Sequence, residues 1–243
     1  MCELLEGLPY ERIHAVDGKT LEGPEVLPPF TPRKYENMTR YERAYVLGHR
    51  LAWQKFLETG DALACVLDDD VALSPEFGKF MRDESWFPQG GCVVKIETDR
   101  ERVFLSRQSI PALGRSLAVL RSSHLGSSAY VISREGARFF LGQTVRPDHP
   151  LDYVMFGEAF AKNRPPVHQL IPALCIQTKH IQDANAFSEL ASSIQDQASR
   201  PKKPLRLRLR NEIRRPFIQL GRSLRNLASG RQLTERRCIV DFA

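Results

Sequence analysis

Residues 66–71 read Val-Leu-Asp-Asp-Asp-Val, three adjacent carboxylates between the apolar run 62–67 and the segment Val71–Phe77. Such carboxylates repel one another, and each raises its neighbours' pKa unless a cation compensates. In extended chain, residues i and i+2 point the same way. Asp68 and Asp70 are therefore expected to share one pocket, with Asp69 facing elsewhere or meeting a sugar. Hard oxygen ligands suit Mg²⁺ or Mn²⁺, which keep coordination positions open for phosphate oxygens. The chemistry on offer is a divalent cation held open to phosphate oxygens. The competing reading is a solvated acidic turn.

The elements around the triplet bear on that choice. Thr39 with Glu42 matches a capping box. Ala44, Leu47 and Leu51, and Tyr45, Ala52 and Phe56, repeat at helical spacing, which predicts a helix over 40–58 that stops near Gly60. Residues 62–67 read as a fully buried strand with the acids at its carboxyl end, where open α/β sheets bind ligands. Ser74-Pro75-Glu76 reads as a helix start. Residues 10–18 read as a short strand and turn, and 23–34 as a proline-rich loop. Residues 92–97, 102–106, 117–121 and 127–133 read as further strands, the last running into a helix from Ser133. Strands alternate with helices, so the fold class is α/β.

Composition narrows the setting. The 243 residues, 42% apolar, are enough for a sizeable core. The five cysteines form no CxxC or Cys/His cluster, so neither a disulfide framework nor a zinc site is expected, and reduced thiols point to the cytoplasm. The amino-terminal residues lack a signal-peptide pattern and no stretch is long and apolar enough to span a bilayer. From Arg200 onward there are 13 Lys and Arg against 3 acids, so a net +6 chain divides into a body of −4 and a carboxyl-terminal part of +10. The expected organisation is a body over 1–185, a polar linker over 186–204 and a basic amphipathic helical tail over 205–243. Within that tail Ile213, Phe217, Leu220, Leu224 and Leu227 follow helical spacing, between arginines. A helix of this kind suits an anionic membrane surface. Phe217 stands almost alone among the tail's aromatics, so base stacking is unsupported and no nucleic-acid partner is expected.

Four segments in order resemble glycosyltransferase family 25, the lipopolysaccharide and lipooligosaccharide glycosyltransferases. They are YERIHAVDG (10–18); the helix carrying His49 and Trp53 with the following LDDDV (67–71); GSSAYVISREGARFFL (126–141); and PLD (150–152). The resemblance implies a GT-A-like, Rossmann-related mixed sheet with flanking helices. It also implies a UDP-sugar donor, Mn²⁺ or Mg²⁺, and inverting transfer of a hexose, commonly galactose, to a lipid-linked or other glycan acceptor at the inner membrane face. Metal ligation falls to Asp68 and Asp70. The nucleotide-sugar side falls to Asp69, His49, Lys95, Ser128, Tyr130, Arg12 and Asp17, with Ser127 beside them. An inverting transfer needs a base for the acceptor hydroxyl. Asp152 takes that role, with Glu158 in reserve.

Each of these residues has a plainer reading. Asp152 also suits a helix N-cap, His49 a packed core histidine, and Lys95 a strand-end lysine with its head in water. Ser127, Ser128 and Tyr130 suit packing at a strand start, and Asp17-Gly18 a turn. Two positions depart from the family pattern: Gly48 replaces a usual serine and Ala44 a usual glycine. Family members begin with an Ile-Asn-Leu type of strand well before the Tyr-Glu-Arg match, where this chain has nine residues. The resemblance therefore implies a sheet lacking its first strand, and with it a non-catalytic remnant as the alternative function. A metal-dependent phosphohydrolase using the same acids is a third reading.

Overall fold

Thr39 and Glu42 close the expected capping box: the threonine hydroxyl accepts from Glu42 N at 3.1 Å and the glutamate accepts from Thr39 N at 2.8 Å. The computed structural model describes residues 5–21, 38–145, 149–181 and 234–243. Helix α1 spans Arg40–Glu58 and ends at Thr59. Strand β1 follows (Leu63–Leu67), then β2 (Val71–Leu73) and the short helix α2 (Phe77–Arg82). Strands β3 (Val93–Lys95) and β4 (Glu97–Thr98) come next, then the hairpin of β5 (Arg102–Ala112) and β6 (Arg115–Leu120). Strand β7 (Ala129–Ser133) runs into α3 (Arg134–Gln143), which begins near Ser133 as expected, and the Ser133 hydroxyl caps it. Helix α4 (Leu151–Phe156), β8 (Val167–Ile171), β9 (Cys175–Gln177) and β10 (Glu235–Ile239) complete the order.

Seven strands form a mixed sheet in the order β1-β7-β3-β8-β6-β5-β10, with β3 and β8 parallel and the other neighbours antiparallel. A second sheet joins β2, β9 and β4. Side-chain alternation divides each strand between two cores. On β7, Tyr130 and Ile132 face the core built with Val46, Trp53 and Phe56 of α1, Phe140 of α3 and Met155 and Phe156 of α4. Ala129 and Val131 face the other core, with Phe77, Phe80 and Trp86. The α/β expectation holds at the level of a mixed sheet between helices.

Several local expectations change. Residues 10–18 form no strand; they run as irregular chain, and Asp17 accepts from Lys19 N at 2.8 Å in a turn. This segment is tied to α1 by an ion pair between Glu11 and Lys55. All five residues of β1 are half-buried, because among the described residues β1 ends the sheet and pairs only with β7. Residues 92–97 divide between the two sheets, with Ile96 between β3 and β4. Helix α2 begins at Phe77, two residues later than the start expected at Pro75.

The largest correction concerns the carboxyl terminus. Residues 182–233, which hold the linker and most of the expected tail, lie outside the described residues. From Glu235 to Ile239 the chain is strand and not helix. Glu235–Ile239 pairs antiparallel with β5, with Arg237 opposite Phe104 and Cys238 opposite Val103. Two-residue alternation accounts for the carboxyl half of the strand: Cys238 is half-buried and Val240 fully buried, while Arg237 and Ile239 are exposed. Beyond the strand, Thr98 Oγ1 donates to Val240 O at 2.7 Å and Ala173 N to Asp241 O at 2.7 Å. The buried Arg115 donates to Ala243 O at 2.7 Å and to Glu76 Oε2 at 2.7 Å. Removing residues 234–243 is therefore expected to destabilise the body by about 3 kcal/mol from lost apolar burial, lowering the unfolding temperature by about 10 °C. An unchanged melting curve for the truncated chain would refute this.

Candidate functional site

Tyr45, His49 and Trp53 are four residues apart on α1, so they stack on one helix face. Tyr45 and His49 ring centroids are 4.4 Å apart, and His49 lies 5.7 Å from the stacked ring of Tyr130 on β7. Trp53 Nε1 donates to the Tyr130 hydroxyl at 2.8 Å, and that hydroxyl lies 2.7 Å from His49 Nδ1. One assignment satisfies every proton: Tyr130 donates to Nδ1, and the histidine keeps its hydrogen on Nε2. Nε2 then faces Asp68 Oδ1 at 3.8 Å. Burial drives the His49 pKa down to about 3, so the ring is neutral.

Asp68 sits just past β1, where the preceding apolar strand delivers it to α1. The Tyr45 hydroxyl donates to Asp68 Oδ2 at 2.8 Å and accepts from Ser127 Oγ at 3.1 Å. Asp68 N donates to Ser128 O at 2.7 Å. Burial pushes the Asp68 carboxyl up to about 7 against the opposing pull of the Tyr45 hydrogen bond, and the nearby charges of Asp70 and Glu97 add to the rise. Asp70 is half-buried. Its Oδ2 accepts a long bond from Gln177 Nε2 at 3.4 Å, while Oδ1 is buried without a hydrogen-bond partner among the described residues. Burial raises the Asp70 pKa too, with the Gln177 bond and the Lys179 charge opposing. Asp69 is exposed. Asp69 and Asp70 lie in a turn rather than in strand, yet the expected division holds: the first and third acids turn inward and the second outward.

A loop joins this group to Asp152. Gly126 N approaches Asp152 Oδ2 at 3.4 Å, and Tyr153 N donates to Asp152 Oδ1 at 2.9 Å. Burial raises the Asp152 pKa, opposed by those two backbone donors. Asp152 is not the helix N-cap; Pro150 holds that position and Asp152 is the second residue of α4. Glu158 is exposed on the following 3-10 turn.

Lys95 does not face a phosphate. Its ammonium is fully buried and donates to Glu97 Oε1 at 2.8 Å, Gly126 O at 2.6 Å and Leu125 O at 3.3 Å, which uses all three protons. It lies inside because Lys95 is on a central strand, 4.5 Å from the ring centroid of Phe156. Tyr130 is likewise interior, supporting His49 rather than lining a cleft. Ser127 and Ser128 are buried and act through Tyr45 and Asp68. Arg12 and Asp17 are exposed on the 5–21 segment, and Asp17 spends its carboxylate on the local turn. Sequence reasoning missed Tyr45, Glu97 and Gln177. The first two left a signal: Tyr45 is one helical turn before His49, and Glu97 is two residues beyond Lys95.

Among the described residues no group of three or more His, Cys, Asp or Glu side chains is arranged to hold a metal ion. A divalent ion shared with a diphosphate needs only one or two carboxylates from the protein. Asp68 and Asp70, with an unpartnered buried oxygen on Asp70, fit that arrangement and do not make a closed cage. Residues 2–155 match Glycosyltransferase family 25 (LPS biosynthesis protein). The chain belongs to that family. It is 32% identical over 166 residues to the Lacto-N-neotetraose biosynthesis glycosyltransferase LgtB of Neisseria meningitidis serogroup B, covering 64% of this chain and 60% of that one. It is 26% identical over 188 residues to the Lipooligosaccharide biosynthesis protein lex-1 of Haemophilus influenzae, covering 71% and 62%. The chain thus spans about three fifths of the length of these relatives. The family-25 match includes Tyr45, Asp68, Asp70, Glu97 and Asp152.

Proposed function

We propose that this family-25 chain transfers a hexose, galactose in our reading, from a UDP-sugar to a hydroxyl of a lipopolysaccharide-type or other glycan acceptor. Inversion at the sugar and a GT-A-like use of the sheet edge belong to the same proposal. The observation that carries it is the half-buried acid pair, Asp68 and Asp70, with one carboxylate oxygen of Asp70 buried and, among the described residues, unpartnered just past the carboxyl end of β1. The family description and the relatives' names support the class of substrate.

Asp68 and Asp70 would hold Mn²⁺ or Mg²⁺, which when bound supplies positive charge to the diphosphate leaving group. Tyr45 orients Asp68 through its hydroxyl, and neutral His49 presents an N–H rather than a competing positive charge. Asp152 is the base for the acceptor hydroxyl. Its raised pKa favours proton uptake, and two backbone donors hold its carboxylate in place. Asp69, exposed beside the pair, is placed to meet the donor's sugar. The basic segment before residue 234 would hold the enzyme at an anionic membrane surface on the cytoplasmic side. Among the described residues, no helix is long and apolar enough to cross a membrane.

The test is a panel of UDP-hexoses with glycan acceptors, assayed for UDP release and glycan product with Mn²⁺, with Mg²⁺ and with EDTA. One UDP-hexose should give both products, and EDTA should stop both. Free phosphate without glycan product would replace the proposal with a phosphohydrolase. UDP-sugar binding with no product would leave a binding protein.

A further inference from the structure

We infer that the Lys95–Glu97 ion pair is a positioning device that sets the loop Leu125–Ser128, and through it the placement of Asp68 relative to Asp152. The inference rests on the glycosyltransferase reading above for its kinetic consequence, and on geometry alone for its structural one. Lys95 and Glu97 bracket Ile96, so both side chains turn to the same side of the chain. Their charged groups are almost wholly removed from water.

Glu97 Oε1 accepts from Lys95 Nζ at 2.8 Å and from Ser128 N at 2.8 Å. Lys95 holds the same loop from its other side through the carbonyls of Leu125 and Gly126. The loop is thus gripped at one end by a cation and at the other by an anion. Gly126 has φ +92°, and a Cβ there would lie 3.3 Å from Glu97 Oε1, so the backbone passes directly over the carboxylate. The pair is itself held in register: Gln169 Nε2 donates to Lys95 O at 3.3 Å and Glu97 O at 3.1 Å.

From this short loop, contacts run to both acids. Ser128 O accepts from Asp68 N, and Ser127 Oγ donates to the tyrosine that binds the Asp68 carboxylate. Gly126 N reaches Asp152. A shift of the loop moves the donor-side acid and the acceptor-side base relative to each other. Displacing reacting groups by about 1 Å lowers turnover by about 100-fold, even when ground-state binding persists. Neither Lys95 nor Glu97 touches substrate in this arrangement.

Two variants separate positioning from stability. The double variant Lys95→Met with Glu97→Gln removes both charges together, which avoids a lone buried ion, and keeps an acceptor oxygen for Ser128 N. Gly126→Ala keeps both charges and strains the loop directly, through its φ of +92° and a Cβ 3.3 Å from Glu97 Oε1. Each is expected to lower kcat at least about 100-fold, with KM for the UDP-hexose changed by less than about threefold. Rates are normalised to the folded fraction measured by circular dichroism at the assay temperature. Hydrogen exchange provides an arm that needs no activity: the amides of Asp68 and Ser128 should exchange at least about tenfold faster, with β5 and β6 unchanged. If the wild-type chain turns over no donor, the functional proposal fails and the exchange arm alone decides this one. Wild-type kcat in the folded variants, or wild-type protection of Asp68 and Ser128, overturns the assignment.

Discussion

Asp70→Asn is expected to lower metal-dependent UDP release by about 10²- to 10³-fold, the usual effect of losing one preorganised charge-stabilising group. Its effect on unfolding is expected to be small. The free Asp70 Oδ1 is buried without a partner among the described residues, so the folded chain gains little from the ionised group there. Asp68→Asn should abolish the same activity for a related reason, yet raise stability in metal-free buffer. The carboxyl of Asp68 titrates near 7 in the fold because burial opposes its charge, against about 4 in the unfolded chain. At pH 8 that difference destabilises the native state by on the order of 4 kcal/mol, which the neutral amide removes. Steady-state UDP release and urea unfolding with EDTA check both halves. Normal turnover in a folded Asp70→Asn chain would remove the basis of the proposed metal site.

The second large effect is a cancellation of two pH dependences. His49 binds its proton at about 3 in the fold and near 6.5 when unfolded. Its contribution is therefore complete above pH 6.5 and is lost on acidification, at about 1.4 kcal/mol per pH unit. Asp68 runs the other way. Its folded pKa is raised to about 7, so its contribution is complete below about pH 4 and lost as pH rises through 7. Between pH 6.5 and 4 the two slopes have opposite sign and similar size. Metal-free wild-type protein is expected to show nearly level stability across that window. Asp68→Asn exposes the histidine slope, with a fall of about 3 kcal/mol from pH 6.5 to 4.3. His49→Gln should instead become more stable on acidification. Below about pH 4 a different group takes over: burial pushes Asp99 up, but the bond to His124 at 2.9 Å, the charges of His124 and Lys95 and the Glu101 backbone donor together hold it down to about 2. Parallel pH profiles for wild type and Asp68→Asn would show that the two residues are not opposed in this way.

The contrast between these acids and Lys95 shows why part of the site was readable in advance. The acids are marked by neighbouring residues, the apolar strand before them, although a turn and not strand alternation sends the first and third acids inward. Lys95 carries a comparable local signal, but its role depends on Gly126, some thirty positions away. Alone, a lysine on a short apolar strand is equally consistent with a phosphate contact at the strand's end. Tyr45 and Asp68 are likewise 23 residues apart, and no spacing rule links a helix to a turn across an intervening strand. The basic tail shows the same limit in reverse. The spacing of Ile213, Phe217, Leu220, Leu224 and Leu227 predicts a helix, whereas strand pairing occurs at Glu235–Ile239. There the deciding partner is the edge of β5, about 130 residues earlier.

By itself, then, the sequence determined what short-range physics controls: the start of α1 through Thr39 and Glu42, the strand that delivers the acids, the start of α3 near Ser133 and the ordered segments that mark family 25. The tertiary structure decided which polar groups are spent inside and which remain free. It put Lys95 on Glu97 and a loop, His49 behind Asp68, and the last strand on the sheet. The reason is that desolvation and hydrogen-bond satisfaction depend on every group brought within a few ångströms. For His49 and Tyr130 that neighbour lies 81 residues along the chain.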